Sequence, residues 1–371
     1  MPLPSDANFL KGLDMDAAGT SILSGIFALL SMRMLMPFAV KMRLVDRPNQ
    51  RKLHKGAVPL VGGLSAFAGV CLGWLLGMPF STGYVIFLIC ASLLVLLGAI
   101  DDARDLPAKL RLSAQVVLGA VLVYGSGDSL ESFGNLFGLG VIELGVLGPL
   151  VSIAAVIGAT NAFNMIDGID GLAGSLSLTA LLSLALLFAS APGHDAGLAL
   201  ALGLSCALMP YLMANLRIPP FKRRIFMGDA GSMFIGFAIV WLMIQGAPLE
   251  GAAFRPVTAL WIIAIPLIDM VAIMFRRARK GQSVMRPDRE HLHHIFMRSG
   301  FSDRETLVLI TFVAMLFAGF GLLGEFLQIP EWVMFAAFAV LFVLYDYALS
   351  RVWRLLALFR RKNAGKTHLA R

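Results

Sequence analysis

Charged residues are scarce in this sequence. Only 15% of its 371 residues are Asp, Glu, Lys or Arg, whereas a soluble domain of this size carries roughly 25%. This scarcity argues against a water-soluble enzyme. The apolar segments also lack the polar–apolar alternation of a transmembrane β-barrel. The three cysteines lie in apolar runs without CxxC spacing, so no disulfide framework is predicted.

Apolar residues dominate instead: they make up 58% of the chain, and its mean hydropathy is +0.80. A helix needs about 20 such residues to cross a hydrocarbon core of roughly 30 Å, and it satisfies its own backbone polar groups. We therefore predict an all-α polytopic transmembrane bundle that forms one domain over residues 1–371. The eleven predicted spans are 18–40, 59–78, 83–100, 111–127, 141–163, 172–190, 197–214, 231–246, 256–275, 306–325 and 332–350.

The positive charges lie almost entirely on one side of these spans. All but Lys11, Arg33 and Arg255 of the 31 Lys and Arg residues share a side if the N-terminus is outside. Because Lys and Arg favour the cytoplasmic side, we predict an N-out, C-in topology, and nucleic acid is not a predicted partner. The inside segments are 41–58, 101–111, 215–229, the loop 276–304 and the basic tail 351–371.

The segments on the other side are short. Residues 1–17 are predicted to be a short periplasmic N-terminus, and connections such as 128–140 look like plain turns. The inside connections are longer and carry charges of both signs. Function is therefore expected on the inside.

The first polar cluster, Gly98–Asp105, ends the third span on the inside. Adjacent carboxylates at a membrane boundary are costly unless they meet a cation or water, so Asp101 and Asp102 are candidate functional residues. Asp105 is a further candidate, although it could simply cap the next helix.

The second cluster, Asn161–Gly174, interrupts an apolar stretch with two Asn, two Asp and three Gly. Glycine lets a backbone approach a ligand closely, while Asn and Asp supply oxygen ligands and hydrogen-bond acceptors. A plain turn needs only one or two such residues. This composition predicts a binding site that includes Asn164, Asp167, Gly168 and Asp170.

The third cluster, Ile225–Ser232, directly precedes an apolar span. Asp229 stands between glycines at the start of that span, and an N-cap alone would not need them. Phe226 could stack on a base or simply anchor the chain at the membrane boundary.

The fourth cluster, Arg286–Arg298, holds three of the six histidines. The spacing of His291, His293 and His294 suggests zinc, but the chain has no HExxH motif and no cysteine partners. Histidines together with Arg298 are better suited to the phosphates and hydroxyls of an anionic substrate.

Two other residues are further candidates. Lys55 belongs to a basic loop that could set topology or meet a lipid phosphate. Asp269 lies within a span, where a carboxylate is expected to be functional or paired with an arginine. All these groups are predicted to meet at the inner boundary, where carboxylates for Mg²⁺ and cations for phosphates suit phosphoryl transfer to a lipid.

These motifs resemble the polyprenyl-phosphate N-acetylhexosamine-1-phosphate transferases over nearly the whole chain. Asp101-Asp102-x-x-Asp105 and His291-Leu292-His293-His294 resemble the bacterial WecA-type subfamily. The resemblance implies transfer of GlcNAc-1-phosphate from UDP-GlcNAc to undecaprenyl phosphate in the bacterial inner membrane, with release of UMP. It also implies initiation of lipopolysaccharide O-antigen or a related surface polysaccharide. Muramoyl-pentapeptide transferases differ at the histidine motif and typically have Lys in place of Asp105.

The resemblance also implies residue roles. Asp229 and Asn164 would bind Mg²⁺, or alternatively Mn²⁺. Asp101 and Asp102 would serve the acceptor phosphate. The implied uridine-site residues are Asp167, Gly168, Asp170 and Phe226. The implied sugar and diphosphate residues are His291, His293, His294 and Arg298.

Several alternatives stay open. The transfer could be a single displacement or pass through an aspartyl-phosphate. The donor could be another UDP-N-acetylhexosamine. Other functions are a transporter of lipid-linked or nucleotide sugars, which would more commonly place polar residues at the bilayer midplane, and an intramembrane metalloprotease. The sequence does not determine the oligomeric state, a homodimer included.

Overall fold

The computed structural model describes residues 15–46, 56–77, 81–283 and 291–367. Lys55 lies outside these residues. In the described part, two short strands pair antiparallel, β1 (Val45–Asp46) with β2 (Val58–Pro59). The helices are α1 Met15–Ala39, α2 Gly62–Gly77, α3 Thr82–Arg104, α4 Ala108–Ser126, α5 Gly148–Ile166, α6 Leu172–Ala189, α7 Asp195–Asn215, α8 Gly228–Gly246, α9 Pro256–Ile262, α10 Ala264–Arg279, α11 Leu292–Arg298, α12 Asp303–Phe326 and α13 Glu331–Thr367.

The predicted all-α polytopic fold is confirmed, because each predicted span overlaps one or two helices. Among the described residues, nine helices are long and apolar enough to cross a membrane, or ten if the bent pair α9–α10 forms one span. The chain is therefore a multi-pass membrane protein. Helix α2 is apolar but shorter than these nine helices, and the prediction of eleven passes depends on it.

Helix α2 has 16 residues, which corresponds to about 24 Å of helix, less than a typical hydrocarbon core. It nevertheless extends between two ends of the bundle. Its first residue, Gly62, donates its backbone N–H to the Phe226 carbonyl just before α8. Near its other end, Trp74 stacks on Tyr84 at the start of α3, with ring centroids 4.5 Å apart. Helix α2 thus follows the same path as its longer neighbours.

The ninth predicted span, 256–275, is not a continuous helix. It is divided at Ile263 into α9 and α10, whose axes differ by 85°. Pro266 lies in the first turn of α10, where its missing N–H does not cost a helical hydrogen bond. The predicted span 256–275 is therefore a bent pair of helices.

The connection before α5 is not the plain turn that the sequence predicted. Residues Ser132 and Glu143 form an antiparallel bridge. Beside it the Phe133 backbone N–H donates to the Ile142 carbonyl, and the Ile142 N–H donates to the Gly134 carbonyl. Because residues up to 144 pair in this way, α5 begins at Gly148 instead of residue 141.

The last helix continues beyond the predicted span. Helix α13 runs without a break from Glu331 to Thr367, so the predicted tail continues the same helix from residue 351 as far as Thr367. Within the predicted loop 276–304, α10 continues to Arg279, and the short α11 holds the histidines.

Helix α8 lies at the centre of the bundle. It is apolar on all sides. Of the residues in its 18-residue apolar stretch 89% are buried, compared with 17% in the corresponding stretch of α13. Helices α2, α3, α5 and α6 pack around it. The N-terminal end of α8 is therefore held in place by several neighbouring helices.

Candidate active site

The C-terminal ends of two helices, α3 and α5, meet the N-terminus of α8. The C-terminal end of α3 brings Asp101 and Asp102, and the end of α5 brings Asn164 next to Asp229. Gly98 permits this approach, because a Cβ atom there would lie 2.4 Å from the Ala230 Cα atom of α8. The structure thus brings together motifs that are more than 60 residues apart in the chain.

Asp229 and Asn164 are direct neighbours. The Asn164 Nδ2 atom donates a hydrogen bond to Asp229 Oδ1 at 2.8 Å and another to the Ser232 hydroxyl at 3.0 Å. The Asp229 side chain keeps 37% of its surface exposed, so a ligand can reach its carboxylate.

Asp102 is bound to the N-terminus of α8. Its Oδ1 atom accepts the backbone N–H of Asp229 at 2.9 Å, and its Oδ2 atom accepts that of Ala230 at 3.3 Å. Unpaired N–H groups at a helix start carry partial positive charge, so a carboxylate there is stabilising. Asp102 therefore positions Asp229. Its predicted catalytic role is not tested by these contacts.

Asp101 is buried, with 2% of its side chain exposed. Its Oδ1 atom accepts the Leu106 backbone N–H at 2.7 Å, and Arg111 donates to its Oδ2 atom at 2.6 Å. The same Arg111 nitrogen lies 3.3 Å from Asp229 Oδ2. Asp101 thus orients Arg111 towards Asp229, and a catalytic role for Asp101 stays a prediction.

Sequence reasoning missed Arg111 as a site residue and counted it only for topology. A signal was present, because Arg111 lies four residues into the apolar helix α4 and not before it. An arginine within an apolar helix is costly unless it meets an anion.

Asp105 does not cap the following helix. It ends α3 in a left-handed conformation (φ 55°), and its backbone N–H donates to the Asp101 carbonyl. Asp is among the residues that adopt this conformation most readily. The helix that follows has Pro107 at its N-cap position, so the capping interpretation was wrong.

Asp170 and Phe226 share one arginine. The Arg224 Nη2 atom lies 2.8 Å from Asp170 Oδ2, and the guanidinium carbon is 6.0 Å from the centre of the Phe226 ring. In the sequence Arg224 follows two other basic residues, a pattern that indicates topology and gives no sign of this contact. The predicted nucleotide residues thus gather around a cation that can meet a phosphate.

Asp167 lies directly after α5, outside the membrane-spanning segment. Burial, followed by the charges of Asp229 and Asp170, raises the pKa of Asp167 from 3.8 to about 7. The folded protein therefore retains a proton on this carboxyl between about pH 4 and pH 7 that the unfolded chain has lost. The stability of the protein falls as the pH rises through this window.

Asp167→Asn is accordingly expected to stabilise the ligand-free protein at pH 8 and to change it little at pH 5. At pH 8 the variant removes a buried charge, and at pH 5 it replaces a carboxyl that is already protonated. Thermal unfolding in detergent should show an increase of about 2–4 °C at pH 8. An equal shift at both pH values would contradict this assignment.

The histidines pack against the second cluster. His291 and His293 stack with their rings 8° from parallel, and the His293 and His294 ring centroids are 4.2 Å apart. A Cβ atom on Gly168 would lie 2.0 Å from His293 Nε2, so only glycine fits beneath this ring. Arg298 lies in the last turn of α11 and is partly exposed.

His293 contributes no positive charge at neutral pH. Burial, and then the neighbouring His294 and His291, lower the pKa of His293 to about 3. Neither of its ring nitrogens has a hydrogen-bond partner in the described structure, although the residue is 1% exposed. Buried polar groups are usually paired, so this ring is suited to a neutral hydrogen bond with a ligand.

Asp269 is buried in α10 and accepts hydrogen bonds from His291, the Leu292 backbone and Tyr345. None of these three partners is the arginine that the sequence suggested. Tyr345 had no signal in the sequence, because it is one aromatic residue in an apolar helix.

The donor set around Asp229 fits Mg²⁺. In the part of the chain that is described, no group of three or more His, Cys, Asp or Glu side chains is placed to hold a metal ion. Mg²⁺ is commonly bound by only one or two carboxylates, with water and substrate phosphates completing its shell. The exposed Asp229 carboxylate and the Asn164 amide oxygen supply suitable ligands.

Comparisons with known proteins agree with this picture. A family model described as glycosyl transferase family 4 matches residues 84–247. Undecaprenyl-phosphate alpha-N-acetylglucosaminyl 1-phosphate transferases are similar over most of their length. The Pasteurella multocida protein is 44% identical, over 94% of this chain and 98% of its own. The Yersinia pestis protein is 43% identical, over 87% and 88%, and that of Escherichia coli K12 is 42% identical, over 87% and 88%.

Proposed function

Because the chain belongs to glycosyl transferase family 4, we propose that it transfers GlcNAc-1-phosphate from UDP-GlcNAc to undecaprenyl phosphate and releases UMP. The observation that carries this proposal is the cluster at the start of α8. There an exposed carboxylate, an amide and an arginine meet within hydrogen-bond distance, beside a histidine segment. Anion-binding and metal-binding groups in one place are what phosphoryl transfer requires.

The reaction we propose is a single displacement. An oxygen of undecaprenyl phosphate attacks the β-phosphorus of UDP-GlcNAc, the bond to the α-phosphate breaks, and UMP leaves. A phosphate monoester with a second pKa of about 6 is mostly dianionic at pH 7, so it needs no strong base. This is compatible with the contacts of Asp101 and Asp102, whose oxygens already accept protein hydrogen bonds.

The protein's own residues would mainly position charge. Arg111 and Arg224 are placed to contact phosphate oxygens, since each is partly exposed beside site carboxylates, Arg111 beside Asp101 and Asp229 and Arg224 beside Asp170. His293 would donate or accept one hydrogen bond while neutral. Phe226 would stack on uracil.

Asp229 and Asn164 would hold Mg²⁺, with Mn²⁺ as a substitute. When bound, the ion would neutralise the diphosphate of the donor. The ion would also offset the charge of Asp229 beside Asp167, and this would favour the charged form of Asp167.

We place the site on the cytoplasmic face of the bacterial inner membrane. The support is the one-sided distribution of Lys and Arg. The nucleotide sugar would then arrive from the cytoplasm and the lipid phosphate from the inner leaflet. The product would initiate lipopolysaccharide O-antigen or a related surface polysaccharide.

Purified protein with Mg²⁺, undecaprenyl phosphate and a panel of UDP-sugars is expected to release UMP most rapidly with UDP-GlcNAc. EDTA should abolish the reaction, and Mg²⁺ or Mn²⁺ should restore it. Faster release from another UDP-N-acetylhexosamine would change the assigned donor. Movement of substrate across vesicles without UMP release would overturn the transferase proposal in favour of transport.

A further inference from the structure

Asp269 occupies an unusual position for a carboxylate. It lies within α10 and is 2% exposed, which is costly for a charged group unless donors surround it. Three donors do so. His291 Nδ1 lies 2.9 Å from Oδ2, the Leu292 backbone N–H donates to Oδ1 at 3.1 Å, and the Tyr345 hydroxyl donates to Oδ1 at 2.6 Å.

These contacts join three separate elements. Asp269 belongs to α10, His291 and Leu292 begin α11, and Tyr345 belongs to α13. Helix α11 has only seven residues, and isolated helices shorter than about 12 residues are marginal. Its position must therefore come from tertiary contacts, and Asp269 binds its N-cap residue, His291, and its first residue, Leu292.

The contact with Asp269 also determines which nitrogen His291 presents. Because the carboxylate accepts from Nδ1, that nitrogen carries the proton, and Nε2 is left for another partner. The His291 ring in turn stacks on His293, whose ring covers Gly168. A shift of His291 would consequently move the ring that lies over the second cluster.

We propose that Asp269 and Tyr345 are positioning residues that hold the histidine segment, His291–Arg298, over the candidate active site. This inference rests on the proposed function. Tyr345 acts through Asp269 and need not contact substrate itself. The last transmembrane helix would thereby contribute to recognition of the sugar diphosphate.

Tyr345→Phe tests this proposal, because it removes one hydroxyl and leaves the ring. We expect the KM for UDP-GlcNAc to rise about tenfold, the order of effect for losing one hydrogen bond to a charged group. The KM for undecaprenyl phosphate should stay within about twofold. The affinity for UMP should fall less than that for UDP-GlcNAc, because His293 meets the implied uridine site at Gly168, whereas the rest of the histidine segment would face the sugar diphosphate. Tyr347→Phe is the matched control, because Tyr347 is exposed two residues further along the same helix.

Titration calorimetry with UDP-GlcNAc and with UMP supplies a second readout. Selective weakening of UDP-GlcNAc binding would support the proposal, as would a larger loss, about a hundredfold in kcat/KM, in Asp269→Asn. An unchanged KM for UDP-GlcNAc in Tyr345→Phe would overturn it, and so would equal weakening of UMP binding. Failure of the proposed transferase function would be distinguishable from failure of this positioning role, because the wild-type protein itself would then release no UMP.

Discussion

Asp229→Asn is expected to lower Mg²⁺-dependent UMP release about a thousandfold while the protein stays folded. Asp229 is the exposed carboxylate at the start of α8, where Asn164 and Arg111 converge on it. Asparagine has nearly the same shape but lacks the charge that a metal ion and Arg111 would meet. The loss should therefore appear in the reaction rate and in the Mg²⁺ concentration needed, which enzyme assays across a Mg²⁺ series would measure.

Asp195→Asn is the control for this variant. Asp195 is also an acidic residue in the first turn of an apolar helix, α7, but that helix start belongs to the opposite end of the bundle. It should retain wild-type activity. Thermal unfolding of both variants close to that of the wild type would exclude a folding defect. Substantial turnover by Asp229→Asn with unchanged Mg²⁺ dependence would refute the metal assignment.

Asp102→Asn is expected to reduce kcat about a hundredfold. Hydrogen bonds to a charged group are each worth about 1.5–3 kcal/mol, and Asp102 accepts two from the start of α8. The amide of asparagine can accept only through its oxygen, so one backbone N–H would face an NH₂ group. Asp229 would then lose its fixed position.

The pH dependence separates this positioning role from the predicted role as a base. With a second pKa of about 6, undecaprenyl phosphate is mostly monoanionic at pH 5 and mostly dianionic from pH 7 upwards, where it no longer needs a base. A variant that lacks only a base should be impaired at pH 5 and regain activity at pH 7 to 9, whereas a variant with a displaced α8 should stay impaired at every pH. Asp128→Asn, which alters a carboxylate bonded to Gln245 at the far end of α8, should be unaffected.

The local sequence pattern was sufficient to predict many of the site residues that the structure brings together. Asp229 and Asn164 stood out because polar residues and glycines interrupt apolar sequence, and they prove to be neighbours. Arg111 and Tyr345 could not be found in the same way. Their partners, Asp229 and Asp269, lie 118 and 76 positions away, so their importance depends on helix packing alone.

Local pattern also failed where backbone geometry depends on tertiary contacts. Composition did not reveal the 85° bend between α9 and α10, because an apolar sequence is compatible with one helix or with two. The paired segment before α5 was missed for the same reason. Its backbone bonds join residues about ten positions apart, such as Ser132 and Glu143.

The sequence by itself determined that this protein is a helical membrane protein whose polar motifs gather at helix ends. Transfer of a segment from water to lipid depends on its composition, and composition can be read directly from the chain. The tertiary structure alone decided which carboxylates stay accessible. Asp101 is buried and forms an ion pair with Arg111, Asp102 accepts hydrogen bonds from the start of α8, and Asp229 is left partly exposed. That division follows from which helix ends pack together, and adjacent residues of one motif therefore acquire different roles.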